Sequence, residues 1–249
     1  DNEFSYIEAG IRDLFFKEVL DKKELDLSFL NIQKIPVKLA SKLRNVEVLN
    51  LSGNRNLSID EDWFQYFYSN LKELTINNHN LSDKDFGIIS KLKVLEKLSI
   101  KNSRVLDIYS ENFISVLKNI KHLDVSSCSL DYKALKHILE HGKNLEYLNF
   151  FGNDLSNAVH FNVNLEESSN DYYQSSQKLF NSFNVHQNKR IQIRNLKELN
   201  LSICKINSKE FIKSIFDIEG LEKLDLSYNH LNFDFKDIVK GKASSSLKE

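Results

Sequence analysis

Apolar and polar positions alternate in short bursts along this chain, and the bursts recur in phase. "LEYLNFFGNDL" from Leu145 to Leu155 returns as "LEKLDLSYNHL" from Leu221 to Leu231. The shared pattern is L-x-x-L-x-L-x-x-N-x-L. It fits "LKELTINNHNL" at Leu71, "LEKLSIKNSRV" at Leu95, "IKHLDVSSCSL" at Ile120 and "LKELNLSICKI" at Leu196. Looser copies start at Lys22 and Val46, and the start-to-start steps from Val46 are 25, 24, 25, 25, 51 and 25 residues. The x-L-x-L-x centre predicts a strand with its leucines on one face. The second half of each copy predicts a helix. "DKDFGIISKL", "SENFISVLKNI", "DYKALKHILEHG" and "NSKEFIKSIF" place apolar residues at helical spacing, with Ser110, Asp131 and Asn207 as N-caps. A unit of this size cannot bury its own apolar face, so neighbouring units stack to bury it together.

Six clear copies in phase resemble the leucine-rich repeat family over nearly the whole chain. The resemblance implies an α/β fold: a solenoid, or horseshoe, with a parallel sheet on the concave face and helices on the convex face. In that family the ninth-position Asn joins neighbouring turns through amide hydrogen bonds. Here Asn54, Asn153 and Asn229 keep it, while His79, Ser103, Cys128 and Cys204 replace it, so the amide ladder is expected to be broken. The two cysteines resemble the cysteine-containing subclass of the family, which includes the receptor arms of F-box ubiquitin ligases.

The expected organisation is one repeat domain over 1–240. Residues 1–21 form an N-terminal capping helix, 22–155 and 196–240 carry repeats and the C-terminal end, and 156–195 are an insertion. Residues 241–249 form a disordered tail. The 51-residue step reads either as one repeat with about 26 extra residues or as one extra unrecognisable repeat; long insertions of this kind are often functional or disordered.

Composition narrows the function. The 249 residues are 41% hydrophobic and 28% charged, as in a globular domain, and the net charge is −1. Neither a nucleic-acid face nor a membrane span is expected, since no basic excess and no apolar run of about 18 residues is present. The chain starts at Asp1 and contains no Met, so it reads as a processed or excised piece. Cys128 and Cys204 lie in different repeats, too far apart to bridge, which favours a reducing, intracellular compartment.

One stretch carries a catalytic spelling. "HILEH", His137 to His141, matches H-x-x-E-H, the zinc motif of inverzincin proteases, with Glu140 as the base. The same segment has the apolar face of an ordinary repeat helix in Leu135, Ile138 and Leu139. The histidines then lie on its solvent side, and neither a metal nor another cofactor is expected.

The expected function is therefore binding of another protein, without catalysis, through the concave face and the 156–195 insertion. The site residues are Tyr147, Phe151, Ile203 and Tyr228, with His122, Lys101 and Asp124 beside them. Exposed aromatics on a strand face are the usual anchors of protein interfaces. The alternatives are a substrate-receptor arm of an F-box type ubiquitin ligase, a secreted effector or surface protein of an intracellular parasite, and a zinc hydrolase.

Overall fold

The structure, a computed structural model, describes residues 22–161, 191, 193–234 and 236–239. The expected capping helix, the centre of the insertion and the tail lie outside the described residues. The chain divides into two compact units, residues 1–129 and 130–249.

In the first unit five strands pair in parallel: β1 (Glu24–Asp26), β2 (Val48–Asn50), β3 (Glu73–Thr75), β5 (Lys97–Ser99) and β7 (His122–Asp124). The register holds equivalent leucines side by side: Leu25, Leu49, Leu74, Leu98 and Leu123. A second small pair joins β4 (Asn80–Leu81) to β6 (Arg104–Val105) just beyond the strand turns. The return segments begin as single helical turns, α1 (Val37–Ala40) and α2 (Glu61–Phe64), and lengthen to α3 (Asp83–Ile89) and α4 (Glu111–Leu117). Early in this unit bulk replaces helix length, since Trp63, Phe64 and Phe67 are all completely buried in edge-on and tilted ring contacts.

In the second unit β8 (Tyr147–Asn149), β9 (Glu198–Asn200) and β10 (Lys223–Asp225) pair in parallel, with α5 (Tyr132–His141), α6 (Lys209–Phe216) and α7 (Lys236–Val239) as the return segments. Leu148 stands directly beside Leu199. The 51-residue step is therefore one elongated repeat, with no strand inserted between β8 and β9. The described ends of that excursion are anchored on the helix side. Ala158, Phe161, Ile191 and Ile193 are buried, the Phe161 N–H donates to Ser214 Oγ at 2.9 Å, and Phe161, Tyr132 and Phe211 form a ring cluster.

The first, fourth, sixth and eleventh repeat positions form the core in both units, as the spelling requires. The exceptions are Lys22, which is exposed, and Leu57, Val105 and, in the last repeat, Leu224, Leu226 and Leu231, which are half-buried. Helix starts follow the expected chemistry. Ser110 accepts from the Phe113 N–H and Asp131 from the Ala134 N–H. Ser208, not Asn207, caps α6 by accepting from the Phe211 N–H at 3.1 Å. Ser and Asn both cap well, so the choice between adjacent residues falls to where the helical backbone begins.

A row of charges stabilises the stacking of the first unit at the second repeat position, where Lys23, Glu47, Lys72, Glu96 and Lys121 alternate in sign. Glu47 takes Lys23 at 2.8 Å and Lys72 at 2.6 Å, and Glu96 takes Lys121 at 3.0 Å. The two ammonium groups hold the Glu47 carboxyl down at about 2. Each exposed pair adds little stability alone. Their alternation still favours the native stacking register, because a slip by one repeat would place like charges together.

Candidate functional site

The turn after each strand sets which side chains face outward, and six of the eight repeats close it with the same hydrogen bond. At the fifth position an Asp or Asn carboxylate or amide oxygen accepts the N–H of the seventh residue. This occurs in Asp26–Ser28, Asn50–Ser52, Asp124–Ser126, Asn149–Phe151, Asn200–Ser202 and Asp225–Ser227, at 2.8–3.2 Å. In the third repeat the Asn77 N–H instead donates to Ser52 Oγ at 3.2 Å, and in the fourth Asn77 Oδ1 accepts from Ser99 Oγ and the Lys101 N–H. The Ser28 and Ser227 hydroxyls and N–H groups hold the Asp26 and Asp225 carboxyls below their usual value. Asp124, expected to contact a partner, has its carboxylate engaged in this local turn.

The eighth residue then takes a left-handed conformation in every repeat: Phe29, Gly53, Asn78, Asn102, Ser127, Gly152, Ile203 and Tyr228, with φ between 52° and 74°. The turn lets its N–H donate to the seventh-position carbonyl of the following repeat. Phe29 reaches Ser52, Gly53 reaches Asn77, Asn78 reaches Lys101 and Asn102 reaches Ser126 in the first unit; Gly152 reaches Ser202 and Ile203 reaches Ser227 in the second. Gly and Asn adopt this conformation readily, whereas for other residues it costs about 1–2 kcal/mol. Phe29, Ile203 and Tyr228 nonetheless occupy it, and they are 74%, 45% and 84% exposed.

The ninth side chain points inward and ties each repeat to the one before. Asn54 Nδ2 donates to the carbonyls of Leu27 and Leu51 at 2.8 Å, and its Oδ1 accepts from the Ile32 N–H. Asn229 does the same with Leu201, Leu226, Cys204 and Ile206. The amide ladder breaks where expected, at His79, Ser103, Cys128 and Cys204, but other donors take over its hydrogen bonds. His79 Nε2 meets the Leu51 carbonyl at 3.2 Å, and Ser103 Oγ meets that of Ile76 at 3.5 Å. Cys128 Sγ meets Ile100 at 3.2 Å, and Cys204 Sγ meets Phe150 at 3.3 Å. In six repeats a ninth-position donor thus reaches the sixth-position carbonyl of the preceding repeat, whatever its chemistry. Burial pushes both thiols up to about 11, keeping them protonated as donors, and burial lowers His79 so that its ring stays neutral.

The candidate residues fall into both units. In the first, His122 sits beside Lys97 in register, Asp124 beside Ser99, and Lys101 lies exposed in the following turn. Lys101 lines a shallow polar groove of about 420 Å³ together with Phe29, Asn77 and Asn102. In the second, Tyr147, Glu198 and Lys223 are neighbours across the three strands, and Lys223 pairs with Glu198 at 2.8 Å. They line a depression of about 360 Å³. Phe151 is half-buried in the turn above, and Ile203 and Tyr228 stand at successive eighth positions. Phe29 belongs with these two by geometry. The signal that marks it is its column, filled in other repeats by Gly53, Gly152, Asn78 and Asn102.

The H-x-x-E-H segment forms α5. His137, Glu140 and His141 are half-buried rather than fully on the solvent side, because Leu135, Ile138 and Leu139 draw that helix into the core. Among the described residues, no helix is long and apolar enough to cross a membrane.

A family model described as Leucine Rich Repeat matches residues 45–67. Among solved structures, internalin C2 from Listeria monocytogenes aligns with a TM-score of 0.51 at 15% identity, over 90% of this chain and 79% of that one. A leucine-rich repeat protein of Leptospira interrogans aligns at 0.48 and 21% identity, over 93% of this chain and 60% of its own. TLR13, solved in complex with ssRNA13, aligns at 0.49 and 16% identity, over 86% of this chain and 29% of its own. This chain thus spans less than two thirds of the latter two proteins. No curated protein matches it in sequence. Repeats, parallel strands and helical returns together define an α/β fold of the leucine-rich repeat solenoid type.

Proposed function

We propose that the protein is a non-catalytic module that binds a partner protein through the strand-side turns. Tyr147, Phe151, Ile203 and Tyr228 are the apolar anchors in residues 130–249, with His122, Lys101 and Asp124 as polar contacts in the first unit. The observation that carries this reading is the conflict at the eighth position. Ile203 and Tyr228 hold bulky, exposed side chains on a left-handed backbone where Gly or Asn would be more stable. Strain of this kind persists where something other than folding favours the residue. Large amphipathic rings such as Tyr228 contribute disproportionately to protein interfaces when a partner desolvates them. Solenoids offer extended surfaces of this type, and the work is binding, with no covalent step.

The test compares wild type with Tyr147→Ala/Phe151→Ala/Tyr228→Ala in affinity capture read by mass spectrometry, with folding checked by circular dichroism. A partner captured by wild type and lost by the folded variant supports the reading. A partner held equally by both moves binding away from these residues and contradicts it.

A further inference from the structure

The last turn of α5 holds three metal-ligand types together. His137 and His141 lie one turn apart with ring centroids 4.5 Å from each other and planes inclined by 56°. Glu140 completes the group, and one potential ligand atom from each residue lies within 4.8 Å of the other two. All three are half-buried. The platform beneath them is stiff. Ala134, Leu135, Ile138 and Leu139 are buried, Asp131 caps the helix start, and the Gly142 N–H closes its end on the Ile138 carbonyl at 2.8 Å. A side chain at Gly142 would run into Leu145 and that same carbonyl, so the helix ends at a fixed point.

We propose that His137, Glu140 and His141 form a binding site for a borderline divalent transition-metal ion, zinc foremost. Two neutral imidazoles and one carboxylate are the donor set such ions prefer. Calcium and magnesium require six or more oxygen ligands or an octahedral oxygen shell, which this cluster cannot supply. Bonds of about 2.0–2.2 Å require the ligand atoms to close in by about 1 Å, within reach of side-chain rotation on a rigid helix. Water or a partner's side chain completes the coordination. Bound here, the ion staples the final turn of α5 at the point where the chain leaves for β8, so it stabilises residues 130–249 without entering any reaction.

Isothermal titration of zinc chloride into the chelator-treated full chain tests this. The expected result is one saturable event per chain in the micromolar range, with a melting temperature that rises with zinc and does not respond to magnesium. His137→Ala and His141→Ala should each weaken binding by more than the roughly tenfold that loss of even an outer-shell partner costs, Glu140→Gln by less, and His230→Ala not at all. In wild-type protein, zinc should shift the ring resonances of His137 and His141, a readout that needs no variant to fold. Absence of saturable binding, undiminished binding in a folded His137→Ala/His141→Ala variant, or ring shifts confined to other histidines would overturn the proposal.

Discussion

The ring of Phe29 lies across Gly53, so that a methyl group built on Gly53 would fall among the ring's own carbon atoms. The two residues occupy the same repeat position in consecutive turns, both with positive φ. Gly53 is thus required twice, by its backbone at φ 74° and by the ring above it. Gly53→Ala should destabilise the protein by about 1–3 kcal/mol, combining left-handed strain with displacement of the ring. In a Phe29→Ala background the steric part should vanish and only the backbone cost of about 1 kcal/mol should remain. Chemical denaturation of the four proteins in this cycle measures both terms.

The ninth-position ladder makes its own demand. Asn54 satisfies two carbonyls and one N–H in a fully buried setting. Asn54→Ala should cost about 2–3 kcal/mol, because the Leu27 carbonyl and the Ile32 N–H would lose this partner, whereas the Leu51 carbonyl keeps His79. Ser103→Asn is the converse. The hydroxyl reaches the Ile76 carbonyl only at 3.5 Å, and an amide should hold it better if the pocket admits the added bulk, raising the denaturation midpoint.

The thiols of Cys128 and Cys204 are donors rather than nucleophiles. Both are buried and raised to about 11 from a usual 9.0. At mildly alkaline pH each should carry about a hundredfold less thiolate than an exposed cysteine. A chromogenic disulfide reagent should therefore label the native protein slowly and the unfolded protein at once. Rapid labelling of both cysteines in the native state would contradict the ladder geometry.

His79 links the ladder to pH. Burial lowers its folded-state value below 6.5, so in the window just under pH 6.5 the unfolded chain binds more protons than the folded one. Its stabilising contribution is complete above that window and is lost as the pH falls through it. The carboxylates held low by hydrogen bonds, Asp26 and Asp225, act further down, below their ordinary 3.8. Thermal melts from pH 7.5 to 5 should show a decline that is shallower in His79→Asn, where an amide that does not titrate supplies the same bond.

Much of this arrangement was legible in the spelling. Period-two leucines place the strands and core, and apolar triplets place α3 to α6, because burial at a fixed spacing leaves few alternatives. The ladder's continuity was hidden because it depends on one donor reaching one carbonyl, and imidazole, hydroxyl, thiol and amide all do so while sharing no residue type. The shift of the α6 cap from Asn207 to Ser208 reflects two good capping residues side by side. The left-handed eighth position was readable only from the column as a whole. Gly53, Gly152, Asn78 and Asn102 announce it, whereas Phe29, Ile203 and Tyr228 are ordinary strand residues when read one repeat at a time.

The central claim is that Ile203 and Tyr228 are kept for binding at the expense of folding. Ile203→Asn/Tyr228→Asn separates the two. Relief of left-handed strain at two positions, offset in part by the packing that Ile203 loses at 45% exposure, should stabilise the double variant by at least about 1 kcal/mol, or 2–4 °C in melting temperature, since Tyr228 at 84% exposure loses little packing. The measurement is the affinity of this variant for the partner captured by wild type, set beside its melting temperature. A more stable protein that binds at least about tenfold more weakly, the loss of one interface anchor or more, is the expected result. A variant that binds as tightly as wild type would contradict the account, whatever its stability.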